Sequence, residues 1–243
     1  VIRTEQLKKR YKQKQILHDL SLDIKAGESV GITGPNGAGK TTLLKLLATI
    51  EKPTCGALFF EEKPYSSQIK TIRKRIGYIP QDISLFEGLR VKAQINAWRK
   101  LSAQTIDDTY MNEMIRILRL NEVMNRRSDD LSGGWKRKLH LCIGLLHKPE
   151  ICLLDEPTAG IDMAAKVEII DWLKKLNDAG MTLVYISHDW YELERLSKRL
   201  VLMDNGSIVF NGEKRELKDL PANEFSRELA NIIHAGKKIV VHK

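Results

Sequence analysis

The sequence predicts an α/β fold in which a mainly parallel sheet carries helices on both faces. Three observations lead there. Short apolar strands at Ser29–Thr33, Ile151–Asp155 and Thr182–Ser187 alternate with segments of helical periodicity. A glycine-rich loop stands between one of these strands and a helix. From about Leu85 to His147 no strand pattern occurs, and this stretch reads as an inserted helical subdomain.

Taken in order, Leu20, Leu22 and Ile24 alternate with polar residues, the pattern of a half-buried strand that ends at Ala26-Gly27. Ser29–Thr33 then leads into the glycine-rich loop. Leu43, Leu44, Leu46 and Leu47 follow at helical spacing, so that helix points its N-terminus at the loop. The inserted stretch includes a helix expected over Thr105–Leu118. Ile151–Asp155 is a short run apolar on both faces, as strands of parallel sheets are. Ile169, Trp172, Leu173 and Leu176 mark a helix that Gly180 ends. After the β-branched strand Thr182–Ser187, Asn205-Gly206 between Leu200–Met203 and Ser207–Phe210 signals a hairpin.

Composition narrows the class. At 243 residues and 42% hydrophobic content the chain can bury a sizeable core. Its longest apolar runs, such as Leu141–Leu146, fall far short of the roughly 20 residues of a spanning helix, so the chain is not expected to cross a bilayer by itself. Val1–Arg10 is polar and basic, unlike a secretory signal, and a cytoplasmic location is expected. The three cysteines, Cys55, Cys142 and Cys152, have no C-x-x-C spacing and suggest neither a disulfide framework nor a zinc site. The net charge of +9 is spread in short basic groups without interleaved aromatics, which reads as solvated faces, then as attraction to an anionic membrane, and last as nucleic-acid binding.

Gly34-Pro35-Asn36-Gly37-Ala38-Gly39-Lys40-Thr41 satisfies G-x-x-x-x-G-K-[ST] at every fixed position, with Thr42 following. Such a loop turns backbone N–H groups onto phosphates, brings Lys40 to the terminal pair and offers the Thr41 hydroxyl to Mg²⁺. Asp155 and Glu156 close an apolar strand, where one carboxylate can hold Mg²⁺ and the next can polarise an attacking water. His188 follows the next strand and is expected at the same sheet edge, although a lone histidine there is as readily structural. Ser132, Gly133 and Gly134, just ahead of a helix, form a second candidate phosphate-binding turn.

In order and approximate spacing, Gly34–Thr42, Gln81, Leu131–Trp135, Asp155-Glu156, Asp162 and His188 resemble the nucleotide-binding subunit of ATP-binding cassette (ABC) transporters, over Tyr11 to about Gly212. The resemblance implies a P-loop NTPase core of mixed, mainly parallel sheet, an N-terminal antiparallel β subdomain and the inserted helical subdomain. The corresponding divisions are 1–84 and 148–212 for core and β subdomain, 85–147 for the helical subdomain, and 213–243 for a C-terminal helical tail. It implies ATP and Mg²⁺ as cofactors, with Tyr11 stacking on adenine and Gln81 sensing Mg²⁺ and water. Glu156 would be the catalytic carboxylate, His188 the γ-phosphate switch and Asp162 the loop residue coupling two sites. Ser132–Gly134 of one subunit would close over ATP held by Lys40 of another, a homodimer being expected, and an integral membrane permease subunit would be the further partner on the inner face of the membrane.

Two motifs depart from the family pattern: Trp135 stands where glutamine is usual, and Ala159-Gly160-Ile161-Asp162 replaces the commoner Ser-Ala-Leu-Asp. Gln81–Val91, with Leu85 and Phe86, resembles the segment that meets the membrane partner. Trp135–Leu139, Leu146–Glu150 and Ala159–Asp162 look most like the bacterial exporter branch, so export is the expected direction. The rival reading is a cytosolic ABC ATPase acting on nucleic acid or the ribosome; no nucleic-acid partner is expected for a single short cassette.

Overall fold

The structure, a computed structural model, describes residues 1–102, 104–219 and 230–235. Ten strands and seven α-helices are named within them. Strands β1 (Ile2–Tyr11), β2 (Lys14–Ile24), β4 (Cys55–Phe60) and β5 (Lys63–Pro64) form an antiparallel sheet in the order β2-β1-β4-β5. Strands β3 (Ser29–Thr33), β6 (Ile76–Ile79), β7 (Ile151–Asp155), β8 (Thr182–Ile186), β9 (Arg199–Asp204) and β10 (Ser207–Glu213) form a second sheet in the order β10-β9-β3-β8-β7-β6. Its pairs are parallel except β9 with β10. The α/β architecture expected from the sequence is therefore present, including the antiparallel β subdomain.

Alternation along the strands explains why both faces of the larger sheet are covered. Ile151 and Leu153 of β7 pack in one core with Val30, Ile32 and the α1 (Lys40–Leu47) leucines, while Cys152 and Leu154 pack in the other with Tyr185 and the helices. Every residue of β3, β7 and β8 is buried. Cys142 and Cys152 are fully buried core residues and burial pushes both thiols up, that of Cys142 to about 12.

Between β6 and β7 the named elements are helices: α3 (Val91–Leu101), α4 (Asp108–Ile117) and α5 (Gly133–Gly144), with short 3-10 turns. α4 starts three residues later than expected, because the Asp107 carboxylate accepts from the Thr109 and Tyr110 N–H groups and caps it there. α6 (Met163–Asp178) ends before Gly180, whose φ is +101°, and α7 (Trp190–Leu196) precedes β9. Strands β1, β4 and β6 and helix α2 (Tyr65–Arg75) have no counterpart in the sequence reading. Of the expected C-terminal tail, 214–219 and 230–235 are helical, and 220–229 and 236–243 lie outside the described residues.

The β9–β10 hairpin does more than close the sheet. Asn205 and Gly206 both have positive φ, +43° and +78°, as a type I′ turn needs. Gly206 N–H donates to the Ala38 carbonyl at 3.2 Å and its own carbonyl accepts from His18 N–H at 2.9 Å, so the turn ties the glycine-rich loop to β2. A Cβ at Gly206 would lie 2.2 Å from the Ile16 carbonyl oxygen, which leaves room for glycine alone.

Candidate active site

The glycine-rich loop runs from the carboxyl end of β3 to the N-terminus of α1. Gly34 has φ +148° and a Cβ there would sit 2.0 Å from the Met203 carbonyl oxygen, so the loop leaves the strand pressed against β9. No side chain caps α1, whose N-cap is Gly39; its first N–H groups are left for another acceptor. Lys40 is only 7% exposed, and its ammonium donates to the Gly34 and Pro35 carbonyls at 2.7 and 2.8 Å. Burial lowers its pKa to about 8, with Glu156 and Asp155 pulling the other way.

At the carboxyl ends of β7 and β8 the acidic residues and the histidine come together beside this loop. Asp155 is buried, which pushes its carboxyl up, while a hydrogen bond from Thr41 and the charge of Lys40 act against that. Glu156 has φ +49°, a left-handed turn at the strand end that costs about 1 kcal/mol or more. Its Oε2 accepts from Gln81 Nε2 at 3.1 Å, and its Oε1 lies 3.4 Å from His188 Nε2. Burial, and then Lys40, lower the His188 pKa, against which Glu156 acts; the neutral imidazole is favoured. Thus Gln81 bonds one oxygen of the Glu156 carboxylate and the His188 ring stands beside the other.

A cleft of about 330 Å³ opens beside these groups; it is walled by Tyr11, Asn36, Gly37, Gly39–Thr42, Gln81, Glu156 and His188, with Asp155 outside its lining. Tyr11 is 40% exposed, with the Lys9 ammonium 4.9 Å from its ring centroid and its hydroxyl donating to Glu51. Lys14 and Ile16 also line the cleft and were not read from the sequence; Lys14 pairs with Tyr11 across the β1–β2 hairpin. A larger cavity, about 580 Å³, opens at the other edge of the sheet beside Ile151 and Thr182, where strands begin. Ligands of open α/β sheets sit at the carboxyl edge, where the smaller cleft lies.

Ser132, Gly133 and Gly134 do not line the cleft. Ser132 is the N-cap of α5 but makes no side-chain capping bond, whereas α4, α6 and α7 are each capped by an aspartate. The turn instead packs on its own chain: a Cβ at Gly134 would lie 3.0 Å from Ala165 and 3.4 Å from the Asp162 carboxylate. Asp162, also outside the cleft, accepts from Ala165 N–H at 2.9 Å as the N-cap of α6. Trp135 is half-buried against the helical core with the Lys138 ammonium 4.8 Å from its ring centroid.

Residues 17–159 match the family model described as ABC transporter. The chain belongs to the ABC transporter family. "Linearmycin resistance ATP-binding protein LnrL" of Bacillus subtilis is 32% identical over 219 residues, 89% of this chain and 70% of that protein. "Probable sulfate/thiosulfate import ATP-binding protein CysA" of Chlorella vulgaris is 34% identical over 226 residues, 91% of this chain and 94% of that protein. A solved structure, "Dimeric Structure of MJ0796, a Bacterial ABC Transporter Cassette", superposes with a TM-score of 0.78 at 25% identity, covering 88% of this chain and 98% of that one. This ABC protein is accordingly a cassette that binds ATP and hydrolyses it in a reaction coupled to transport. Among the described residues no helix is long and apolar enough to cross a membrane. The expectation of export draws no support from a relative named for import.

Proposed function

We propose that this ABC ATPase pairs with a second copy around two ATP molecules and drives transport through a separate membrane subunit, lying against the inner face of the membrane. The observation that carries the reading is the split of the two phosphate-binding elements. The uncapped turn Ser132–Gly134 lies outside the cleft that holds Lys40, so a second subunit is needed to bring such a turn to the nucleotide.

Within that reading the loop N–H groups and Lys40 hold the phosphates, and Tyr11 meets the adenine. Mg²⁺ fits the donor set: the Thr41 hydroxyl, the Asp155 carboxylate and the Gln81 amide oxygen are hard oxygen ligands. Mg²⁺ would supply neutralisation of phosphate charge there. Glu156, held by Gln81 with His188 beside it, orients the attacking water and takes its proton, and His188 meets the γ-phosphate. Asp162 carries closure from one site to the other. Phe86, 41% exposed and stacked on Trp98 at 5.4 Å, belongs to the segment that would receive the membrane subunit. Export remains the direction that residues 135–139, 146–150 and 159–162 favour.

Glu156→Gln tests the catalytic assignment: ATPase activity is expected to fall by at least about 100-fold, and near wild-type turnover would refute it. Ser132→Arg is expected to abolish ATP-dependent dimerisation while sparing ATP binding at Lys40; an unchanged dimer by light scattering would refute the shared site. Stimulation of the ATPase by RNA or DNA, with a steep salt dependence, would favour the nucleic-acid reading instead.

A further inference from the structure

Glu192 is a buried acid that the chemistry above leaves unused. It lies on α7, one turn beyond His188, and is 1% exposed. Its Oε2 accepts from the Thr158 hydroxyl at 2.7 Å and from the Ser187 hydroxyl at 2.9 Å. Thr158 stands two residues after Glu156, and Ser187 immediately precedes His188. One carboxylate oxygen therefore joins the segment leaving β7 to the segment leaving β8.

The surroundings make this join rigid. Ser187 Oγ accepts in turn from the Asp189 N–H at 3.0 Å, and the Tyr185 hydroxyl reaches the Glu192 carbonyl at 3.4 Å. Glu192 Oε1 has no hydrogen-bond partner among the described residues, and burial raises the carboxyl to about 7. A position that needed only to pack α7 would be filled by leucine without that desolvation cost. What the acid adds is a fixed acceptor shared by two loops.

We propose that Glu192 is a positioning residue for hydrolysis, clasping the loop after Glu156 to the loop before His188 and so holding those two side chains in contact. The proposal rests on the roles given above to Glu156 and His188. It does not involve the glycine-rich loop, so loss of the clasp acts on turnover and spares nucleotide affinity.

The test compares Glu192→Leu, Glu192→Gln and Thr158→Val in the full chain, measuring kcat and KM for ATP and the affinity for the fluorescent analogue mant-ATP. Glu192→Leu is expected to lower kcat about 10- to 100-fold, the scale of a misplaced reacting group, with KM and mant-ATP affinity within about 2-fold, the pattern of an interaction that matters only for turnover. Glu192→Gln keeps an oxygen that accepts from both hydroxyls and is expected to recover most of the turnover. Thr158→Val, nearly isosteric, removes one donor and carries the test should the leucine variant fail to fold; a kcat lowered at least about 3-fold with KM unchanged is expected.

Wild-type kcat in Glu192→Leu or in Thr158→Val overturns the proposal. Equal losses in the Leu and Gln variants overturn it as well, because the acceptor would not be what matters, and so does a joint collapse of kcat and mant-ATP affinity. Glu156→Gln run beside them separates the two levels. If it is inactive while Glu192→Leu turns over normally, the clasp alone fails; if it is fully active, the reading beneath the clasp fails.

Discussion

Lys40→Met removes the charge that the cleft holds and keeps most of the stem that the fold packs. Lowering the Lys40 pKa from 10.5 to about 8 corresponds to about 3 kcal/mol against the charged form at neutral pH. Apart from its charge, an amine at this position donates to the Gly34 and Pro35 carbonyls, bonds worth up to roughly 1.5 kcal/mol each that methionine lacks. The two effects nearly cancel. Without nucleotide, the methionine variant is therefore expected to match wild-type stability within about 1 kcal/mol at pH 7. With ATP at about a hundredfold excess over Kd, wild type gains about 2.7 kcal/mol by mass action, and the variant is expected to gain almost none. Urea unfolding with and without ATP measures both quantities. A variant destabilised by more than about 3 kcal/mol without nucleotide would show that Lys40 supports the fold, and an undiminished gain with ATP would remove it from the binding site.

Three further outcomes follow from the same structure. Glu192 has a native pKa of about 7 against 4.5, so it contributes stability that is complete below 4.5 and is lost as pH rises through 7; in urea midpoints between pH 4.5 and 8, wild type should lose up to about 3 kcal/mol relative to Glu192→Gln, and parallel profiles would contradict this. Gly206→Ala forces a Cβ to within 2.2 Å of the Ile16 carbonyl oxygen at φ +78°, and a loss of about 2–4 kcal/mol is expected in thermal unfolding, together with weaker ATP binding through the loop it braces. Of the three thiols, exposed Cys55 should react rapidly with a thiol reagent in the native state, whereas buried Cys142 and Cys152 should react only on unfolding; rapid reaction of all three would place the two core cysteines elsewhere.

How far the sequence reached depended on whether an element announces itself locally. Ser29–Thr33 and Ile151–Asp155 are buried along their whole length, and such runs are visible as uninterrupted apolar strings. Strand β1 is hidden because its register against both neighbours shifts beyond Thr4, with Gln6 at φ +46°, and the alternation breaks there. β6 is only four residues long and has its meaning from β7 beside it. The same division holds in the site. The loop of Lys40 is a local motif, whereas Lys14 belongs to the cleft only because a hairpin sets it opposite Tyr11. Glu192 carries no sequence signal at all, since its partners lie 34 and 5 residues away on different segments.

Arg137 shows why the two phosphate-binding elements of one chain work as a unit, on the proposed reading. Its side chain is 3% exposed on α5, one turn beyond Ser132, and donates to the Gln81 carbonyl at 2.9 Å and, more weakly, to the Pro80 carbonyl at 3.4 Å. Gln81 in turn holds Glu156. Three residues earlier on the same helix Gly134 rests against Asp162 and Ala165 of α6. The Arg137 Nε has no hydrogen-bond partner among the described residues, so losing the two bonds to the Pro80–Gln81 segment would leave the buried guanidinium with still more unmet donors. The helix that would present Ser132 to the second copy's ATP is thus fastened to the residue that grips this chain's own Glu156. Closure onto a neighbour's nucleotide then cannot leave the local carboxylate undisturbed, which is the physical condition for coupling two ATP sites through a pair of otherwise separate cassettes.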